Sequence, residues 1–194
     1  MRPPRRLVVA MSGASGAIYG VRMLEVLSAD PSVEVHAIIS RGAAATIEYE
    51  TGRSAGELSA LADATYDESD LATGLASGTF ETDGMVVAPC SIRTLSAIAN
   101  SLNDNLIVRA ADVHLKERRR LVLMVRETPL HLGHLRLMQD VTAAGAVVLP
   151  PVPGFYTRPA TIDDVVNHSI GKALDILGVP HELFQRWSGP NHEG

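Results

Sequence analysis

The segment Leu7–Gly20, LVVAMSGASGAIYG, decides the fold. Its first five residues are apolar, whereas Ile18, Val21, Leu24 and Leu27 recur three to four positions apart at its end and beyond. Between these two periods lie glycines and serines, so the stretch reads as a strand that turns sharply into a helix. Glycine there lets the backbone approach a neighbour closely, and Ser15 adds a donor at a helix start whose positive end favours an anion. The spacing is not the G-x-G-x-x-G fingerprint, and the absence of a following G-K-[ST] excludes a P-loop. A tight strand–helix turn holding no ligand is the other reading.

The same hand-over recurs along the chain. Short apolar runs at Leu7–Met11, Val33–Ser40, Met85–Pro89, Leu121–Val125 and Ala146–Pro150 read as strands, most of them separated by segments with helical spacing. After the third run, Leu95, Ile98, Ala99 and Leu102 line one helix face. Nearly continuous apolar strands imply a parallel sheet covered on both faces, a three-layer, doubly wound α/β fold. Arg53–Phe80 shows no sustained period and reads as helix plus loop; Ile162–Leu177 reads as a last helix closed by Gly178 and Pro180. Neither repeat nor linker interrupts the pattern, so residues 1–194 read as one domain, long enough to bury roughly 70% of its unfolded surface.

Composition narrows the function. A net charge of −5 argues against a general nucleic-acid binder, so any phosphate recognition is local. The one cysteine, Cys90, permits no intrachain disulfide, and a reducing cytoplasm is the expected compartment. The opening MRPPRRLVVAM imitates a secretory signal, but its five-residue apolar core falls short of the roughly 7–15 such a signal needs. No apolar run approaches the roughly 20 residues of a membrane span.

Ligands of open parallel sheets bind beyond the carboxyl ends of the strands. Those ends carry GASG, then Ser40 and Arg41, then Cys90-Ser91 with Thr94, then Arg126-Glu127, and last PPVPGFYTRP. Hydroxyls, backbone donors, an arginine, a carboxylate and a tyrosine on one edge make the inventory of a site for a phosphorylated ligand.

The strings GASGAIYG, APCSIRTL, NLIVRAADVHLKERR, VRETPLHLGHL and LPPVPGFYTRP together resemble the flavin prenyltransferase family, the UbiX-like proteins, from about residue 7 to the final RW. The resemblance implies a Rossmann-like flavoprotein fold, FMN as cofactor and co-substrate, and transfer of a dimethylallyl group to reduced FMN. The prenylated FMN would serve a UbiD-like decarboxylase, in ubiquinone synthesis or aromatic acid decarboxylation, and the subunits would form a homo-oligomer, a dodecamer in most members. Carried over by motif, Gly13, Ala14, Ser15, Ser40, Ser91, Ile92, Arg93, Thr94, Arg109 and Arg126 match flavin contacts. Without the resemblance, Arg109 and Lys116 read equally as a helix salt-bridge face.

Cleavage of an allylic phosphate leaves a positive carbon fragment and a phosphate dianion, so cations are needed around the leaving group and a π-face near the carbon. Lys116, Arg126, Tyr156 and Lys172 match the family's phosphate ligands, and Trp187 matches a family aromatic that could equally anchor the tail. Glu50 and Glu127 match family carboxylates with proton-transfer duties, Ser15 being read as a relay to Glu127. Lys172 stands where the family usually has arginine; the charge is kept and the planar fork lost. Trp187 follows the last helix, so its arrival at the strand ends implies a neighbouring subunit.

For metal, Asp163-Asp164 read as first-turn acids of the last helix, and His131 with His134, though correctly spaced, lack a third ligand. The expectation is therefore metal-independent transfer from dimethylallyl monophosphate. Cys90 reads as a buried small residue rather than a nucleophile. Two rival functions are a flavin-dependent cysteine decarboxylase, whose P-x-M-N-x-x-M-W segment has no counterpart in APCSIRTL, and a noncatalytic flavin carrier, which would not need Lys116, Tyr156, Lys172 and Glu50.

Overall fold

Six parallel strands form the central sheet in the order β3-β2-β1-β4-β5-β6. They are β1 (Arg5–Met11), β2 (Val33–Ile39), β3 (Ala64–Tyr66), β4 (Gly84–Cys90), β5 (Arg120–Val125) and β6 (Val147–Val148). The computed structural model describes residues 3–187, so the outer ends of the domain read over 1–194 lie outside the described residues. Strand order reverses between β1 and β4, the switch point at which doubly wound sheets open a ligand crevice.

Alternation along the strands feeds two cores. Leu7, Val9 and Met11 pack with α1 (Ala17–Ser28), α2 (Arg41–Thr51), α3 (Ala55–Ser59) and α7 (Ile162–Leu177). Val8 and Ala10 pack with α4 (Ile92–Ala99), α5 (Leu106–Lys116) and α6 (Leu132–Ala144) on the other face. Both faces of β1 are thus sealed, and each large aliphatic side chain so buried contributes roughly 1.5–3 kcal/mol. Gly20 seats α1: a Cβ there would lie 2.3 Å from the Ala88 carbonyl oxygen and 2.5 Å from Met11 Cε.

The five expected strands are present, and α7 has the bounds read from the sequence. Differences have local causes. β3, within the stretch read as helix plus loop, is three residues long and pairs only with β2, too short for a period to show. The last strand shrinks from Ala146–Pro150 to Val147–Val148, because Pro150 and Pro151 have no N–H for a ladder. Helix α4 ends at Ala99, so Leu102 lies beyond it and is 58% exposed rather than on its buried face. Helix α5, which the sequence offers only as a salt-bridge face carrying Arg109 and Lys116, is started by Asn105, whose side chain accepts from Val108 N at 3.0 Å.

Candidate functional site

At the carboxyl ends of β1, β2 and β4 lies a cleft of about 530 Å³, lined by Gly13, Ser40, Ser91, Ile92, Arg93, Thr94 and Glu127 among others. Local hydrogen bonds fix its rim. Ser40 caps α2 by accepting from Ala43 N at 3.1 Å, and Ser91 caps α4 by accepting from Thr94 N at 3.2 Å. The Ser91 hydroxyl also donates to Thr94 Oγ1 at 3.1 Å. Ile92 N and Arg93 N carry no protein acceptor among the described residues, which leaves an anion-ready end on α4. Ser12, buried at the β1 terminus, donates to the Pro89 carbonyl at 2.9 Å and accepts from Ser91 N at 2.8 Å, tying the two switch-point strands together.

The quoted turn turns out to hold a group of the protein's own. Gly16, at φ 95°, is the N-cap residue of α1 and makes no side-chain cap. Glu50, from the end of α2, supplies it: one carboxylate oxygen accepts from Gly16 N and Ala17 N, both at 2.8 Å. Partial burial pulls the Glu50 pKa upward, but hydrogen bonds from the Ser15 hydroxyl and from the Ala17 and Gly16 amides, with the nearby Arg126 charge, outweigh it and hold the carboxyl below its usual range. Arg126 Nε donates to the Ser15 carbonyl at 3.2 Å, so Ser15, Glu50 and Arg126 form one cluster. Ser15 is thus grouped with Glu50 and Arg126, whereas the sequence reading paired it with Glu127. Glu127 lines the cleft and accepts from Thr128 N at 3.0 Å. Glu50 faces a second hollow of about 480 Å³ between α1, α2 and α7, floored by Ile18, Val21 and Val166.

The remaining candidates lie elsewhere in the chain. Arg109 is not among the cleft-lining residues; it donates to the Ala76 carbonyl at 3.0 Å and pairs with Asp112 at 3.1 Å, the helix-face pairing. Lys116 ends α5 at the opposite, amino edge of the sheet and pairs with Glu117. Lys172 pairs with Asp175 at 3.9 Å on α7, whose last carbonyl, Leu177, accepts from Arg5 and Arg120 at that same amino edge. Tyr156 lies edge-to-face with Trp187 at 6.1 Å and bonds His168 at 3.0 Å. None of these four lines the cleft or the second hollow.

Sequence reasoning missed Glu68, whose carboxylate accepts from Arg41 N at 2.8 Å and whose carbonyl accepts from Leu106 N at 2.7 Å, joining the starts of α2 and α5. Nothing local in the sequence signals it. Asn105, also in the lining, was findable as an asparagine before an apolar run.

Cys90 and the His131–His134 pair have defined surroundings. Burial pushes the Cys90 thiol up to about 12, which leaves no thiolate for nucleophilic attack. His131 accepts from Gly133 N at 3.0 Å through Nδ1 and stacks on His134 at 3.6 Å; among the described residues no group of three or more His, Cys, Asp or Glu could hold a metal.

A doubly wound sheet in the order 3-2-1-4-5-6, with hydroxyl-capped helices around a switch-point cleft, is the Rossmann-like architecture of nucleotide-binding proteins, and residues 1–174 match the Flavoprotein family. The chain is 57% identical over 184 residues to a flavin prenyltransferase UbiX of Thauera aromatica, covering 95% of this chain and 94% of the relative. Its fold matches the crystal structure of AnUbiX (PadA1) in complex with FMN and dimethylallyl pyrophosphate, with TM-score 0.93, 49% identity, and 96% and 98% of the two chains covered. A dodecameric FMN-dependent UbiX-like decarboxylase from Escherichia coli O157:H7 matches with TM-score 0.93 and 46% identity, over 95% and 100%. The chain belongs to the flavin prenyltransferase (UbiX) family.

Proposed function

We propose that this flavin prenyltransferase moves a dimethylallyl group from dimethylallyl monophosphate to reduced FMN, in sites completed by a second copy of the chain. The chain is an enzyme and binds FMN. Its cleft fits that ligand: about 530 Å³ lies within the range of about 300–1,000 Å³ for small-molecule sites, with the α4 amides and the Ser40 hydroxyl on its rim. Gly13 and Gly42 meet so closely that a Cβ on Gly13 would be 3.0 Å from the Gly42 backbone, a cradle open only to glycine.

Reduced FMN supplies the nucleophile, and the protein supplies charge and position. The observation that carries the reading is the Ser15–Glu50–Arg126 cluster, in which Ser15 and Arg126 lie within two residues of the cleft-lining Gly13 and Glu127 while Glu50 lines the second hollow. Arg126 offers a guanidinium to a phosphoryl oxygen, and Glu50, held ionised, faces developing positive charge and receives a proton only once that charge has passed. Lys116, Tyr156, Lys172 and Trp187 supply the donor's phosphate ligands and π-face from a neighbouring subunit, which their positions at the amino edge and on the outer side of α7 support. An oligomer follows, with the dodecamer of the Escherichia coli relative as its proposed size.

The product's recipient is proposed to be a UbiD-like decarboxylase, and the site of action the cytoplasm; among the described residues no helix is long and apolar enough to cross a membrane. Transfer is proposed to need no metal, the guanidinium and ammonium groups taking its electrostatic role. Incubation with reduced FMN and dimethylallyl monophosphate tests the reading by the mass of the flavin: an added C5H8 unit is expected, and a flavin returned at its starting mass refutes it. Turnover unaffected by a strong chelator is the expected companion result, and loss of turnover reversed by Mg²⁺ would refute metal independence.

A further inference from the structure

We propose that His168 is a positioning residue for the donor phosphate, acting through Tyr156; this rests on the reading of Tyr156 as a phosphate ligand. His168 Nε2 lies 3.0 Å from the Tyr156 hydroxyl, with the two rings edge-to-face at 5.7 Å. Phe184 packs on the histidine ring at 4.9 Å and Trp187 on the tyrosine at 6.1 Å, so the pair is held from both sides. Gly154 leaves the space in which they meet: a Cβ there would lie 3.0 Å from Tyr156 Cε1 and 3.1 Å from His168 Cε1. His168 and Lys172 are four residues apart on α7, hence on one face, so the bond holds the tyrosine hydroxyl to the face that carries the lysine.

The chemistry fixes the direction of the hydrogen bond. A tyrosine that binds phosphate must donate its one proton outward, so it can only accept from His168. The imidazole must then carry a proton on Nε2, as the neutral Nε2–H tautomer or as the cation. The resulting chain, imidazole N–H to phenol oxygen and phenol O–H to phosphate, polarises each bond along it. When the allylic C–O bond breaks, the electron pair leaves on the phosphate oxygen, and the increased charge strengthens both bonds of the chain. No proton need leave the histidine.

Three substitutions separate this role from packing. His168→Phe keeps an aromatic ring against Phe184 and removes the donor; His168→Gln gives up the ring and keeps an N–H; His168→Ala loses both. The full-length enzyme is assayed with reduced FMN and dimethylallyl monophosphate, and the donor KM is compared with the FMN KM. The expected result is a donor KM raised about tenfold in the Phe and Ala variants, the upper value of one hydrogen bond between uncharged groups, with the Gln variant within about threefold of wild type and the FMN KM unchanged in all three. In a Tyr156→Phe background the same His168→Phe change is expected to add nothing. A Phe variant like wild type beside an impaired Gln variant, or additive effects in the double variant, would overturn the assignment while leaving the prenyltransferase reading intact. A wild-type enzyme that forms no prenylated flavin would overturn the reading itself, and the assignment with it.

Discussion

The strand-end rim and the outer face of α7 are built in opposite ways. At the rim, short side chains and backbone amides are already bonded to one another: Ser12 to Ser91, Ser40 to Ala43, Ser91 to Thr94 and Glu50 to Gly16 and Ala17. On the α7 side, long side chains stand in solvent, with Tyr156 58% and Trp187 65% exposed and Lys172, among the described residues, paired with Asp175 alone. The rim loses little entropy on receiving a ligand because its groups are ordered beforehand; on the α7 side Tyr156 is held by His168 and Trp187, whereas the exposed Lys172 must still be ordered, on the proposed reading by a neighbouring subunit. That reading puts the flavin half of the site within one chain and makes the donor half depend on assembly.

The largest effect expected from breaking this contrast is at Glu50. Glu50→Gln is expected to lower kcat by about 100-fold or more with FMN affinity kept, the range for a lost proton-transfer group. Co-assembly of Glu50→Gln chains with chains carrying Tyr156→Phe and Lys172→Ala should restore measurable turnover, because a mixed interface can combine two intact halves; no recovery would place both halves in one chain. Next is Arg126→Ala, expected to weaken FMN binding by about 30- to 100-fold through loss of a charge-assisted hydrogen bond, as read by fluorescence titration, with Arg126→Lys in between.

A smaller effect belongs to the α7 side. Lys172→Ala should raise the donor KM several-fold while Lys172→Arg leaves it near wild type, since an exposed ammonium contributes charge more than geometry. An unchanged KM in the alanine variant would remove Lys172 from the site.

The smallest is a pH effect on stability. Because the bonds to Glu50 lower its folded pKa, its contribution is complete above the ordinary glutamate value of about 4.3 and is lost as pH falls through the lowered folded value. Thermal unfolding should therefore show an acid limb in the wild type worth about 1 kcal/mol, the usual value of a helix cap, and Glu50→Gln should flatten it.

The same contrast explains what could be read from sequence. Ser40 and Ser91 were legible because a hydroxyl directly after an apolar strand and before a helical period is a cap by local rules. The strands were legible because β1, β4 and β5 are buried on both faces and so nearly continuously apolar. Glu50 matched a family carboxylate, but its capping of α1 was invisible, since it comes from 34 and 33 positions away and no local pattern encodes it. Glu68 was missed for the same reason, lying 27 residues from the Arg41 amide that donates to it. Lys172 and Trp187 came only from resemblance, because an exposed long side chain obeys no periodicity; Tyr156 was also read onto the strand-end rim, yet it does not line the cleft and bonds His168 instead. Arg109 and Asp112, by contrast, sit at helical i, i+3 spacing, and the ion pair that resulted was open to a purely local reading.

One carboxylate clipping the first turn of α1 makes backbone order and local acidity a single variable. Any event that neutralises Glu50 also weakens its hold on two amides, so a proton arriving there loosens the turn between β1 and α1. Amide hydrogen exchange at Gly16 and Ala17 would thus serve as an internal gauge of that acid's charge, readable without following turnover at all.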